Sequence, residues 1–166
     1  FDKGGYILTY DYDKWSFIDP KEAQKKLNLP RNPRDYTSIA VTTDDSNDEI
    51  VYASSMGDGV IQYKNGTPVQ SYNEKNAFKQ TAGGYGSGYC YIDGLAFDKN
   101  GNLWMTSSEV NHAVLVLDKA GAWHRLDIEQ LRGVYTINDI LITSTNDKWI
   151  YVPRNTPKLV MIPNSE

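Results

Sequence analysis

The hydrophobic positions of this chain fall into short runs whose order recurs three times. The runs SIAV, IVYAS and GVIQY of residues 38–63 return as GLAF, LWMTS and AVLVL in residues 94–117, and again as DILI, WIYV and KLVMI in residues 139–162. Equivalent positions lie 56 and 54 residues apart in the first step and 45 residues apart in the second. Short apolar runs bounded by turn residues predict β-strands.

A unit of roughly 40–50 residues that holds several short strands is typical of a β-propeller blade. Polar turns divide each unit into strands a, b, c and d, and the d strands are predicted at residues 15–18, 69–72 and 123–126. A further c strand is predicted at residues 6–10. The order along the chain is therefore c d, a b c d, a b c d, a b c, which makes thirteen predicted strands.

Residues 1–166 are thus predicted to be a single all-β segment, a partial β-propeller of about three to four four-stranded blades. Strands c and d of a first blade occupy residues 5–18, full blades occupy residues 36–72 and 91–126, and a partial blade occupies residues 135–162. Closed propellers contain roughly four to eight blades. One blade of a closed ring can be built from both ends of the chain, but here the first strands (c and d) and the last strands (a, b and c) would give that blade two c strands. We therefore expect a fragment of a larger propeller, with the remaining blades as its partners.

Two segments interrupt the strand pattern with helical signals. Residues 19–30 begin with Asp19 and Pro20 and end with Pro30, which predicts one short inserted helix with Asp19 as its N-cap and Glu22 at the capping-box position. Residues 127–131 are predicted to form one helical turn.

The composition excludes several classes of protein. Seventeen basic and 21 acidic residues give a net charge of −4, so nucleic acid and anionic membranes are not expected partners. No apolar run approaches the ~20 residues of a membrane-spanning helix. The one cysteine, Cys90, begins a predicted strand and is interpreted as a small buried hydrophobe. Trp104 and Trp149 occupy equivalent places in two b strands, which indicates core packing between blades.

The turns between strands carry most of the acidic residues. Residues 98–102, DKNGN, resemble the start of a calcium loop, but the later acidic ligand is missing, so a hairpin turn with Gly101 at positive φ is the preferred interpretation. The acidic residues within 44–49 fall in one turn, where solvation explains them.

A candidate binding face follows from the predicted topology. The b–c and d–a connections of a propeller lie on one face, where a ligand is expected to bind. Aromatic rings flanked by Asp, Asn and Arg side chains suit sugars, because rings stack on apolar sugar faces and polar groups bind the hydroxyls. Lys79 lies on one of these connections. The candidate ligand-binding residues are Asp58, Tyr85, Tyr89, Asn111, His112 and Arg154.

Catalysis and metal binding have little support in the sequence. Two histidines 12 residues apart and one cysteine make no ligand cluster, and no G-x-S-x-G nucleophile motif occurs. His112 is the better catalytic candidate because it lies on the loop face, whereas His124 on an outer strand suits a cross-strand structural role. We expect a protein that is not an enzyme and has no cofactor or metal.

The middle one of the three repeats also carries a family resemblance. Residues 94–107, GLAFDKNGNLWMTS, resemble the blade motif of the two-component regulator propellers and of PorZ-like propeller proteins, in which an aspartate turn ending in Gly-Asn precedes Leu-Trp and a small polar pair. Residues 54–60, SSMGDGV, resemble the matching b–c loop, and residues 121–126, GAWHRL, resemble the entry to strand d.

The resemblance implies a periplasmic or cell-surface protein of a Gram-negative envelope. It implies a ligand-binding or sensor propeller, either PorZ-like or the ectodomain of a hybrid two-component sensor, with an oligosaccharide or lipopolysaccharide-type glycan and envelope proteins as partners. One alternative is a scaffold for protein contacts in a secretion or surface-attachment complex. A second is an enzyme like the streptogramin lyases, which are similar propellers that rely on histidine and magnesium.

Overall fold

Thirteen strands and two short helical segments build the part of the chain that the structure describes. The structure is a computed structural model, and it describes residues 6–33, 35–79, 88–154 and 156–164. The strands are β1 (Ile7–Asp11), β2 (Lys14–Ile18), β3 (Tyr36–Thr43), β4 (Glu49–Gly57), β5 (Gly59–Lys64), β6 (Thr67–Tyr72), β7 (Cys90–Phe97), β8 (Leu103–Ser107), β9 (Val114–Leu117), β10 (Trp123–Leu126), β11 (Asp139–Ile142), β12 (Lys148–Val152) and β13 (Lys158–Ile162). Helix α1 spans Pro20–Leu27, and a 3-10 turn spans Glu129–Leu131.

The strands pair antiparallel with their neighbours in sequence and form four groups. The first blade is the hairpin β1–β2, the second is β3–β6, the third is β7–β10 and the fourth is β11–β13. This order confirms the predicted all-β partial propeller with one short inserted helix. The limits of the whole domain stay a prediction.

The blades stack through their innermost strands and through three apolar clusters. β4 also pairs with β7, so that Met56 lies opposite Tyr91 at the junction of the second and third blades. Buried side chains such as Val60, Leu95 and Leu115 fill the space between these two blades. A second cluster lies between the third and fourth blades, and a third lies between the hairpin β1–β2, helix α1 and the second blade.

The contact between the third and fourth blades requires a glycine. A Cβ atom on Gly94 in β7 would lie 2.6 Å from the backbone nitrogen of Ile140 in β11. This separation is shorter than any normal contact between a Cβ atom and a backbone atom. Gly94 therefore lets the innermost strands of two blades approach each other directly.

Helix α1 begins where the sequence predicts. The Asp19 carboxylate accepts a hydrogen bond from the Lys21 amide at 2.9 Å, and Pro20 occupies the first turn. The helix ends at Leu27, before the predicted stop at Pro30, because Asn28 adopts a left-handed conformation with φ 50° and closes the last turn through its own amide. The predicted helical turn within residues 127–131 is the 3-10 turn.

An aspartate turn recurs between strands, as the hairpin interpretation predicts. The Asp98 carboxylate accepts hydrogen bonds from the amides of Asn100 and Asn102, and Gly101 has φ 82°. Asp44 and Asp118 each bind the amide four residues later through one carboxylate oxygen in the same way. These residues therefore close hairpins.

One of these two tryptophans is placed as predicted. Trp104 is half-buried against the cluster between the third and fourth blades, with the Lys148 ammonium 4.7 Å from its ring centroid. Trp149 is 39 % exposed among the described residues, so its predicted packing between blades stays a prediction. The reason is that Trp149 faces outward from the fourth blade, and no described strand packs on that side.

In the described ranges, no helix has the length and apolar character needed to cross a membrane.

Candidate functional site

The b–c loops and d–a connections meet on one face of the blade stack. Because the described strands of each blade pair antiparallel, the a–b and c–d turns lie at one edge of each blade and the other connections lie at the opposite edge. Backbone hydrogen bonds tie this second set together: the Met56 amide binds the Asp35 carbonyl, and the Glu109 amide binds the Val134 carbonyl, each at 3.0 Å. We call this surface the loop face.

Asp58, a predicted site residue, is held by an ion pair on the loop face. Its Oδ1 atom lies 2.6 Å from Nε of Arg31, which comes from the d–a connection after α1. The Asp58 side chain is 11 % exposed, and its backbone amide donates to the Ser55 hydroxyl at 3.2 Å. The contacts fix the b–c loop of the second blade, so Asp58 has a structural role whether or not a ligand binds.

Tyr89 lies beside the same loop. Its ring is so close to Gly57 that a Cβ atom there would lie 2.5 Å from the ring, and Gly57 also has φ 120°. The ring therefore covers the backbone of the b–c loop and is half-buried. Tyr85, the other predicted aromatic residue, lies outside the described residues.

Two other predicted residues share a pocket. Asn111 and His112 are both exposed and line a cavity of about 390 Å³ at the junction of the second and third blades. Apolar side chains form part of its wall, and basic side chains lie beside them. The remaining lining residues are Phe78, Lys79, Ser107, Glu109, Val110, Leu115 and Arg125.

The pocket wall is braced by a hydrogen bond between two blades. The Arg125 guanidinium on β10 donates to the Ala77 carbonyl at 2.5 Å, which holds the segment leading to Phe78 and Lys79. The Phe78 ring packs edge-on against Trp123 at 5.4 Å between centroids. Arg154 lies exposed on the b–c loop of the fourth blade and does not line this pocket.

Cys90 and His124 have structural environments among the described residues. Burial, with a smaller effect from the Glu74 carboxylate, raises the pKa of the Cys90 thiol to about 12, so this thiol is a weak nucleophile. His124 lies on the outer strand and binds the Asp118 carboxylate at 2.7 Å, which is the structural role predicted for it. In the part of the chain that the structure describes, no three His, Cys, Asp or Glu side chains converge as metal ligands would.

Sequence reasoning missed three residues of this face. Arg31 and Arg125 lie far in sequence from the groups they contact, so no local pattern reveals them. Glu109 stands next to two predicted site residues, Asn111 and His112, but its burial and its positive φ of 61° are visible only in the structure.

Stacked antiparallel blades with a shared loop face define the class of this chain: it is a segment of a β-propeller. Among solved structures, it is similar to PorZ, described as an essential bacterial surface component of the type-IX secretion system of Porphyromonas gingivalis, with a TM-score of 0.73 and 20% identity. The match covers 95% of this chain and 21% of that one. The chain therefore spans about a fifth of the length of PorZ.

Two extracellular domains from B. thetaiotaomicron are also similar. One is assigned to a hybrid two-component system, with a TM-score of 0.51, 15% identity and coverage of 79% of this chain and 16% of that one. The other is assigned to a one-component system, with the same score and identity and coverage of 78% and 18%. No protein-family model and no curated protein sequence matches the chain.

These likenesses confirm the propeller fold and support the resemblance to PorZ-like and two-component regulator propellers. At such identities they concern the fold, so ligand and activity depend on the residues of this chain.

Proposed function

We propose that this chain is the ligand-binding part of a non-enzymatic propeller of the bacterial envelope, and that its loop face recognises a saccharide. The observation that carries the proposal is the 390 Å³ pocket between the second and third blades, which combines an aromatic ring with hydrogen-bonding side chains. The similarity to a surface component and to extracellular sensor domains supports a periplasmic or cell-surface location.

The pocket offers what a sugar ring requires. Phe78, Val110 and Leu115 provide apolar surface for the faces of the ring. Asn111 and His112 stand exposed at the rim, where they reach hydroxyl groups. A cavity of this size suits one sugar unit of a longer glycan, because ligand pockets span roughly 300–1,000 Å³.

Asp58, Tyr85, Tyr89 and Arg154 are proposed to contact further sugar units. Asp58 and Tyr89 belong to the b–c loop region of the second blade, and Arg154 to the fourth blade. An extended glycan that crosses several blades would meet these side chains in turn. We expect each of these side chains to contribute less to the free energy of glycan binding than the pocket does.

A glycan array with the parent protein, followed by thermal-shift titration, tests the proposal. We expect a sugar-dependent rise in melting temperature that is lost in Asn111→Ala and His112→Ala. His124→Ala is the matched control, because that histidine is exposed on the outer strand away from the pocket. No response to any glycan, together with a stable protein partner in pull-down, would instead favour a scaffold, and magnesium-dependent turnover lost in His112→Ala would favour a lyase.

A further inference from the structure

One carboxylate of the loop-face pocket lacks the partners that the other buried carboxylates have. Glu109 is 8 % exposed, and its Oε2 atom accepts no hydrogen bond from the described residues. By contrast, Asp93 accepts a hydrogen bond from Ser108 at 2.6 Å, and Asp98 accepts four. A buried hydrogen-bond acceptor without a donor lowers the stability of the folded protein, so such an acceptor in a native protein calls for an explanation.

The backbone holds Glu109 in place. Its φ of 61° is a left-handed conformation that costs a non-glycine residue free energy. The Glu109 amide binds the Val134 carbonyl at 3.0 Å, which fastens the loop to the connection before the fourth blade. Since the following residues, Asn111 and His112, line the same pocket, the strained backbone positions both the carboxylate and the rim.

The oppositely charged side chains that line the pocket differ in exposure. Glu109 is buried, whereas Lys79 and Arg125 are exposed, as is the imidazole of His112. Neither lysine nor arginine forms an ion pair with Glu109: Arg125 instead donates to the Ala77 carbonyl. The buried carboxylate therefore favours a hydrogen-bond donor with positive charge, and the exposed basic side chains favour an anionic group.

We propose that the sugar unit in this pocket carries a free amino group, bound by Glu109, and an anionic substituent that faces Lys79 and His112. An ammonium group supplies three donors and the charge that the buried carboxylate lacks, whereas a hydroxyl supplies one donor and leaves the charge uncompensated. The anionic substituent offsets the repulsion that the basic rim exerts on a purely cationic ligand. This inference rests on the proposed saccharide binding and names the chemistry of the sugar.

Four related sugars test the inference by calorimetry on the unmodified protein. The probes are glucosamine 6-phosphate, glucose 6-phosphate, N-acetylglucosamine 6-phosphate and glucosamine. We expect glucosamine 6-phosphate to bind at least roughly tenfold more tightly than the two phosphates without a free amine, because charged hydrogen bonds contribute about 1.5–3 kcal/mol. Glucosamine, which lacks the anionic group, should also bind more weakly.

The variant Glu109→Gln identifies the group responsible. It keeps the size of the side chain, so we expect a folded protein in which the preference for the free amine disappears. Glu129→Gln, which changes an exposed glutamate on the 3-10 turn, is the matched control and should keep the preference.

The outcomes separate this inference from the proposed function. Equal binding of glucose 6-phosphate and glucosamine 6-phosphate would overturn the role of the amine and leave saccharide binding intact. Absence of binding by all four probes would also overturn the inference, and the glycan array then decides the proposed function independently. If Glu109→Gln fails to fold, the comparison of the four probes on the unmodified protein is decisive alone.

Discussion

The Ser108 hydroxyl lies 2.6 Å from Oδ2 of Asp93 and accepts a hydrogen bond from the Ile137 amide at 2.9 Å. Both Ser108 and Asp93 are buried at the junction of the third and fourth blades. The pairing of β7 with β8 is irregular between Ile92 and Leu95, so Asp93 lies in this irregular stretch. A single hydroxyl thus connects the innermost strand of one blade to the start of the next.

Asp93 should make the stability of the protein depend on pH. Burial and the nearby Asp139 carboxylate raise the pKa of Asp93 to about 7, although the hydrogen bond from Ser108 opposes the rise. The folded state therefore holds a proton that the unfolded state releases near pH 4. The contribution of Asp93 to the free energy of unfolding is therefore fully present at pH 4. It falls by an amount on the order of 4 kcal/mol as the pH rises to about 7.

Urea denaturation between pH 4 and pH 9 checks this expectation. The difference in unfolding free energy between the unmodified protein and Asp93→Asn should fall across the window and level off above it. Asp45→Asn, which changes an exposed turn residue, should show no such change. A pH-independent difference for Asp93→Asn would mean that Asp93 is ionised throughout.

Asp98 should stabilise the third blade more than its counterpart Asp118. Burial would raise the pKa of Asp98, but hydrogen bonds from Trp104 and from Asn102 hold it below its ordinary value. Asp98→Ala leaves these donors without an acceptor and should lower the unfolding free energy by about 2–4 kcal/mol. Asp118→Ala, in a more exposed turn, should cost less than half as much. Equal losses in chemical denaturation would contradict the special role of the Trp104 contact.

The close approach at Gly94 leads to a third prediction. In Gly94→Ala, the new methyl group meets the β11 backbone, so the third and fourth blades must separate slightly and the unfolding free energy should drop by roughly 2–3 kcal/mol. Gly66→Ala is the comparison variant. Gly66 has φ 72° and open space around it, so this substitution introduces backbone strain without a steric clash. We expect Gly66→Ala to cost about 1 kcal/mol in the same thermal or urea measurement. A loss for Gly94→Ala no larger than that for Gly66→Ala would contradict the close approach of these two blades.

The strand order and the start of α1 could be predicted from the sequence because both depend on local signals. Apolar alternation and turn residues define the strands, and the pair Asp19 and Pro20 defines the beginning of the helix. The environment of Trp149 could not be predicted in this way. Its place in β12 matches that of Trp104 in β8, but only Trp104 has another described blade on its side.

The candidate site was predictable as a surface but not as a set of contacts. The b–c and d–a connections follow from strand order, and this reasoning selected Asn111 and His112. The burial of Glu109 and the ion pair between Arg31 and Asp58 arise from segments that are distant in sequence. Such contacts can be recognised only in the tertiary structure, because these residue types are common in loops and do not by themselves indicate a contact.

The two outer faces of the described stack should make this segment self-associate in solution. On the first blade Leu8 and Phe17 are opposite each other and 66 % and 62 % exposed, and on the fourth blade Leu141 and Leu159 are 61 % and 64 % exposed. Apolar sheet faces of this kind associate, since contact removes them from water. Replacing these four residues with threonine should shift sedimentation of the 166-residue segment toward the monomer. Val69→Thr, an exposed apolar position on β6, serves as the control and should leave the distribution unchanged. A monomeric unmodified segment would show that the end faces are not adhesive by themselves.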